Sequence, residues 1–150
     1  MKKLIFPLAT MVLLASCTSE KTHTETSTTS TTVTTTEGES TTTSSSLSTV
    51  DAATFKSEME STPGTLLDVR TPEEVAAGII PGATVININD SDFETRIDQL
   101  DKTKPVYVYC KAGGRSARAA DMLKEKGFPV VVNLDGGIMA WTDKGFETAK

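Results

Sequence analysis

From Val50 onward, apolar and polar residues fall into short blocks, each with its own period. Val50-Asp51-Ala52-Ala53-Thr54-Phe55 opens a helix, since Asp51 can accept from first-turn N–H groups and Val50 can pack on Phe55. Pro63-Gly64 ends it. Thr65-Leu66-Leu67-Asp68-Val69 is an apolar run of strand length. Thr71-Pro72-Glu73-Glu74 is a capping box with proline at the first helical position, so a helix follows that strand directly and stops at Gly78. After the Pro81-Gly82 turn, residues 84–88 form a second strand. Ser91-Asp92-Phe93-Glu94 makes a second capping box, and Phe93, Ile97 and Leu100 recur at helical spacing. Residues 106–109 are a third strand, 116–126 a helix stopped by Gly127, 130–132 a fourth strand and 138–144 a last helix. Strands of near-continuous Val, Ile and Leu alternating with helices predict an α/β fold: a doubly wound parallel sheet with helices on both faces, over residues 50–150. Such sheets bind ligands at the loops beyond the carboxyl ends of their strands. Here those are the loops after Val69, Ile88 and Tyr109.

The first 49 residues show neither period. Lys2 and Lys3 precede an apolar run over 4–14, which has the length of the apolar core of a secretory leader and falls short of the roughly 20 residues that span a bilayer. Leu14-Ala15-Ser16-Cys17 resembles the lipobox of bacterial lipoproteins. That resemblance implies a signal peptide over 1–16, cleavage before Cys17 and a diacylglycerol on the Cys17 sulfur. The domain would then sit in the cell envelope, periplasm-facing or surface-exposed, held to a membrane by its lipid anchor. An ordinary signal peptide with an incidental Cys17 is the alternative. Residues 17–49 are mostly Thr and Ser, with Val33 and Leu47 the only large apolar side chains. This stretch cannot bury enough surface to offset its ordering entropy, and it predicts a disordered linker with a reach of roughly 30 Å.

Composition narrows the chemistry. The 150 residues carry 15 basic and 20 acidic side chains, a net charge of −5, and removing Lys2 and Lys3 with the leader lowers it to −7. Such a chain has no electrostatic reason to seek nucleic acid. The single histidine, His23, lies in the linker, and the cysteines are Cys17 and Cys110. These counts exclude a His-activated hydrolase, a Cys/His zinc site and a disulfide scaffold. No metal and no cofactor is expected.

Cys110-Lys111-Ala112-Gly113-Gly114-Arg115-Ser116 lies between a buried strand and a helix. The sulfur at the strand's carboxyl end faces unpaired helix N–H groups, which favour an anion. Gly113 and Gly114 let the loop fold into a nest of donors, and Lys111 and Arg115 add positive charge. A thiol there is drawn below its free pKa of about 8.5 without help from histidine. A buried structural cysteine is the bland alternative.

Leu67-Asp68-Val69-Arg70-Thr71-Pro72-Glu73-Glu74, Gly78-Ile79-Ile80-Pro81-Gly82-Ala83, the 108–116 segment around Cys110, and Leu134-Asp135-Gly136-Gly137-Ile138-Met139-Ala140-Trp141 resemble, in order and spacing, the motifs of a single-domain rhodanese. The resemblance implies a sulfurtransferase in which Cys110 takes a sulfane sulfur from a small anionic donor of the thiosulfate type and holds it as a persulfide. A thiol, cyanide or protein acceptor then removes it. It further implies that Lys111, Ala112, Gly113, Gly114, Arg115 and Ser116 hold the charged sulfur and the donor, with Lys111 and Arg115 neutralising the donor oxyanion. Asp68 and Arg70 would be a supporting, hydrogen-bonded pair, and Trp141 a packing residue. Four residues separate Cys110 from Arg115, one fewer than in the related phosphatases and arsenate reductases. That shorter cradle suits a sulfur atom better than a tetrahedral phosphate. Ile79 stands where many members carry histidine, so any polar contact of that histidine is absent. Two rival functions remain open at the level of sequence: a persulfide relay or binding module for a partner protein without free turnover, and a redox-sensing thiol.

Overall fold

A computed structural model describes residues 45–150. The expected signal peptide, Cys17 with its expected lipid, His23 and most of the expected linker lie outside the described residues. The elements are β1 (Ser46–Val50), α1 (Ala52–Ser61), β2 (Thr65–Asp68), α2 (Pro72–Val75), β3 (Thr84–Val85), α3 (Phe93–Ile97), β4 (Val106–Tyr109), α4 (Gly114–Glu125), β5 (Val130–Leu134) and α5 (Gly137–Asp143). All strand pairings within the sheet are parallel, and the order is β1-β5-β4-β2-β3.

The apolar pattern explains both layers. Successive residues of β4 face opposite sides. Val106 and Val108 join Leu67, Phe93, Ile97, Ala119, Ala120 and Leu123 in a core on the α3/α4 side. Tyr107 and Tyr109 join Ala52, Phe55, Leu66, Ile138 and Trp141 on the α1/α5 side. Phe55, fully buried, meets Tyr107 and Trp141 edge-on at ring-centroid distances of 5.6 and 6.4 Å. Each such pair contributes about 0.5–1.5 kcal/mol beyond area burial. Trp141 is the packing residue expected, its indole N–H donating to the Glu147 carbonyl at 2.9 Å. The expected α1 start is also present: Asp51 accepts from the N–H groups of Ala53 and Thr54 at 2.8 and 3.0 Å.

Three expectations need correction. The linker does not run to residue 49. Ser46–Val50 pairs along its length with Val130–Leu134, giving a fifth strand. The polar composition is tolerated because this strand lies at the sheet edge, where only Leu47 and Val50 pack inward and the Ser and Thr side chains face water. The second capping box does not form as expected. Asp92, not Ser91, precedes α3, and neither the Asp92 side chain nor a box caps the helix. The strand expected over 84–88 shortens to Thr84–Val85, although the N–H groups of Ile86 and Ile88 still bond to the carbonyls of Asp68 and Val69.

Candidate active site

Cys110 follows β4 directly, and α4 begins at Gly114. The intervening turn needs Gly113, whose φ of 94° lies in the left-handed region. That conformation aims the Gly113 N–H at the Cys110 sulfur, 3.1 Å away. The Ser116 hydroxyl lies 3.5 Å from the same sulfur and 2.9 Å from the Gly113 carbonyl. Its one proton serves one acceptor at a time, and a charged sulfur is the stronger acceptor. Burial pushes the Cys110 thiol up. The Ser116 hydroxyl and the N–H groups of Ser116, Ala112 and Gly113 pull it down and prevail, so the thiol titrates below its ordinary value.

Cys110 itself is only 1% exposed. The residue is therefore buried rather than at an open mouth, its sulfur held against the Gly113 N–H and the Ser116 hydroxyl. Away from water, each N–H contact acts in a lower dielectric and counts for more.

The two basic residues have different fates. Lys111 is exposed and lines a shallow cleft of about 190 Å³ with Arg70, Glu74, Ala77, Ile138 and Met139. Arg115 is committed to Glu74, with both guanidinium nitrogens 2.7 Å from the carboxylate oxygens. Of the two cations expected beside the sulfur, Arg115 is close enough to interact with Cys110 but is paired rather than free, and Lys111 is exposed on the neighbouring cleft.

Asp68 and Arg70 form the buried pair expected. Arg70 Nε donates to Asp68 Oδ1 at 2.9 Å and its Nη2 to Oδ2 at 2.6 Å. The remaining guanidinium donors reach the carbonyls of Glu74 and Gly78 at 3.1 and 2.7 Å. This clamp fixes the one-turn helix α2 against the end of β2. Tyr109, the residue before Cys110, accepts from the Ile80 N–H at 3.0 Å. Burial, with the Asp68 charge adding to it, raises its phenol well above the ordinary value. At the substituted position, Ile79 pairs through its backbone with Ala149, at 2.8 Å in both directions, so the segment is held without a histidine side chain.

Sequence reasoning missed three contributors. Local pattern marks Glu74 only as a helix cap, yet its carboxylate also fills the Arg115 fork. Gly137 has a φ of 59°, and a Cβ there would lie 2.4 Å from the Cys110 carbonyl oxygen. The N–H groups of Ile138 and Met139 hold the carbonyls of Cys110 and Lys111. Paired glycines before a helix were the available signal for this close approach.

Comparison with known proteins agrees with this geometry. The rhodanese-like domain family matches residues 51–144. A sulfurtransferase of Allochromatium vinosum is 34% identical over 100 residues, covering 66% of this chain and 92% of that protein. The crystal structure of a rhodanese-like domain protein from Staphylococcus aureus aligns with a TM-score of 0.58 at 33% identity, over 69% of this chain and 99% of the other. A rhodanese-related protein from Thermoplasma volcanium gives a TM-score of 0.60 at 31% identity, over 67% and 96%.

Proposed function

We infer the function from one premise: this chain belongs to the rhodanese-like family, whose general chemistry is sulfur transfer. We propose that Cys110 is the nucleophile and that the donor is of the thiosulfate type. The Cys110 thiolate attacks the outer sulfur of the donor. A sulfur–sulfur bond forms at Cys110, the donor's own sulfur–sulfur bond breaks, and sulfite leaves with the electron pair. A thiol, cyanide or protein acceptor then takes the terminal sulfur and frees the Cys110 thiolate.

The observation that carries this proposal is the placing of the sulfur between the Gly113 N–H and the Ser116 hydroxyl. These donors stabilise a thiolate before transfer and a persulfide after it. Exposed Lys111 supplies a charge for the donor's oxyanion. Deep burial of Cys110 favours a donor that presents one narrow atom. A membrane-anchored location through a lipid on Cys17 belongs to the same proposal and rests on the leader sequence.

Intact mass after incubation with thiosulfate tests the central step. One added sulfur is expected in the native chain and none in Cys110→Ser. Turnover with cyanide should accompany it. Sulfur uptake without turnover would instead favour the relay. Ready sulfenate formation with peroxide, and no uptake from sulfane donors, would favour a redox sensor. Labelling of the chain with a radioactive fatty acid, lost in Cys17→Ser, tests the anchor.

A further inference from the structure

We propose that Glu74 is a positioning residue that sets which sulfur donors this site accepts. By holding Arg115 in a two-pronged ion pair it cancels one of the loop's two cations, and so disfavours doubly anionic donors relative to singly anionic ones. This inference rests on the sulfur-transfer role of Cys110 proposed above.

Arg115 closes the Cys110 loop, yet its fork is filled by a carboxylate of matching shape at 2.7 Å on both prongs. The two side chains are 26% and 24% exposed, so their attraction is only partly screened. Glu74 is also anchored independently of Arg115. Its Oε2 accepts from the Thr71 N–H at 3.2 Å, and its carbonyl accepts from Arg70 at 3.1 Å. An arriving anion therefore meets a carboxylate that cannot swing aside cheaply. Arg70 is likewise matched by Asp68. Among the described residues Lys111 takes part in no ion pair. The cleft lined by Arg70, Glu74 and Lys111 thus offers one uncompensated positive charge, that of Lys111.

Two donors of similar shape separate charge from size. Thiosulfate carries two negative charges. Methanethiosulfonate has a methyl group in place of one oxyanion and carries one. With either, Cys110 takes the outer sulfur and a sulfur–sulfur bond breaks, releasing sulfite or methanesulfinate with the electron pair. Net charge is conserved in both.

The test is kcat/KM for each donor in the full chain, with sulfur uptake on Cys110 followed by intact mass. Glu74→Gln retains an acceptor for Thr71 while removing the charge. It should raise the thiosulfate-to-methanethiosulfonate ratio about fivefold, chiefly through KM. Glu74→Ala removes the same charge through a different side chain and should move the ratio the same way. Arg115→Met should lower the ratio, and Arg115→Met combined with Glu74→Gln should bring it back toward the native value. A ratio that stays fixed or falls in both Glu74 variants overturns the assignment and leaves Glu74 as a scaffold for α2. Failure of the native chain to take sulfur from either donor would instead overturn the function on which the assignment rests.

Discussion

The N–H of Ile138 donates to the carbonyl oxygen of Cys110 at 2.8 Å, and the N–H of Met139 reaches the Lys111 carbonyl at 3.2 Å. The Cys110 peptide is therefore pinned from behind by α5, while its sulfur is hydrogen-bonded from the front by the loop leading into α4. This close approach depends on the absence of a side chain at Gly137.

Gly137→Ala should accordingly destabilise the fold by about 2–4 kcal/mol, combining left-handed strain with a steric clash. Urea unfolding measures the loss. Sulfur uptake should fall even at temperatures where the variant remains folded, because the clash falls on the Cys110–Lys111 peptide.

The Cys110 thiol should alkylate with iodoacetamide at a midpoint below the free-thiol value of about 8.5. Ser116→Ala removes one donor to the sulfur and should move that midpoint up. A native midpoint at or above the free value would mean that burial outweighs the donors.

Arg70→Met strips the partner from a carboxylate that is fully buried and should cost about 3–5 kcal/mol in urea unfolding. The loss exceeds that of a surface ion pair because Asp68 would be left charged or forced to protonate.

Glu74 adds a pH dependence. Hydrogen bonds from Arg115 hold its carboxyl down at about 2, against an ordinary 4.5. A depressed acid stabilises the fold above its unfolded pKa, and that contribution fades as pH falls from about 4.5 toward about 2. The urea midpoint of Glu74→Gln should therefore change less across this window than that of the native chain.

A fragment beginning at Ser45 should unfold like the full chain. One beginning at Asp51 loses the β1 ladder and should be about 2–4 kcal/mol less stable, at roughly 1 kcal/mol per net hydrogen bond. Equal midpoints for the two fragments would show that β1 contributes nothing.

What the sequence disclosed follows from distance along the chain. The Cys110 cradle spans seven consecutive residues, and the Asp68–Arg70 pair is two apart, so local pattern was enough for both. Arg115 and Glu74 are separated by 41 residues, and no local rule showed that a carboxylate would fill the guanidinium fork. The Gly137 contact likewise joins two separate loops. β1 was obscured for a different reason: an edge strand needs few apolar side chains, and Leu47 and Val50, three apart and packed on opposite faces, make no strand period against a Ser/Thr background. Its partner β5 lies more than eighty residues away. At α3 the capping-box pattern pointed to Ser91, whereas the helix begins after Asp92 with Phe93 and Ile97 buried and no side-chain cap.

The double fastening of Cys110 has a kinetic corollary. In water, a sulfur that gains or sheds a neighbour drags its surrounding dipoles into a new arrangement each time. Here those dipoles belong to peptide units already locked when the polypeptide collapsed. On the proposed reaction, the bare and sulfur-laden forms would therefore interchange against a nearly stationary background, with little of the barrier arising from rearranged surroundings.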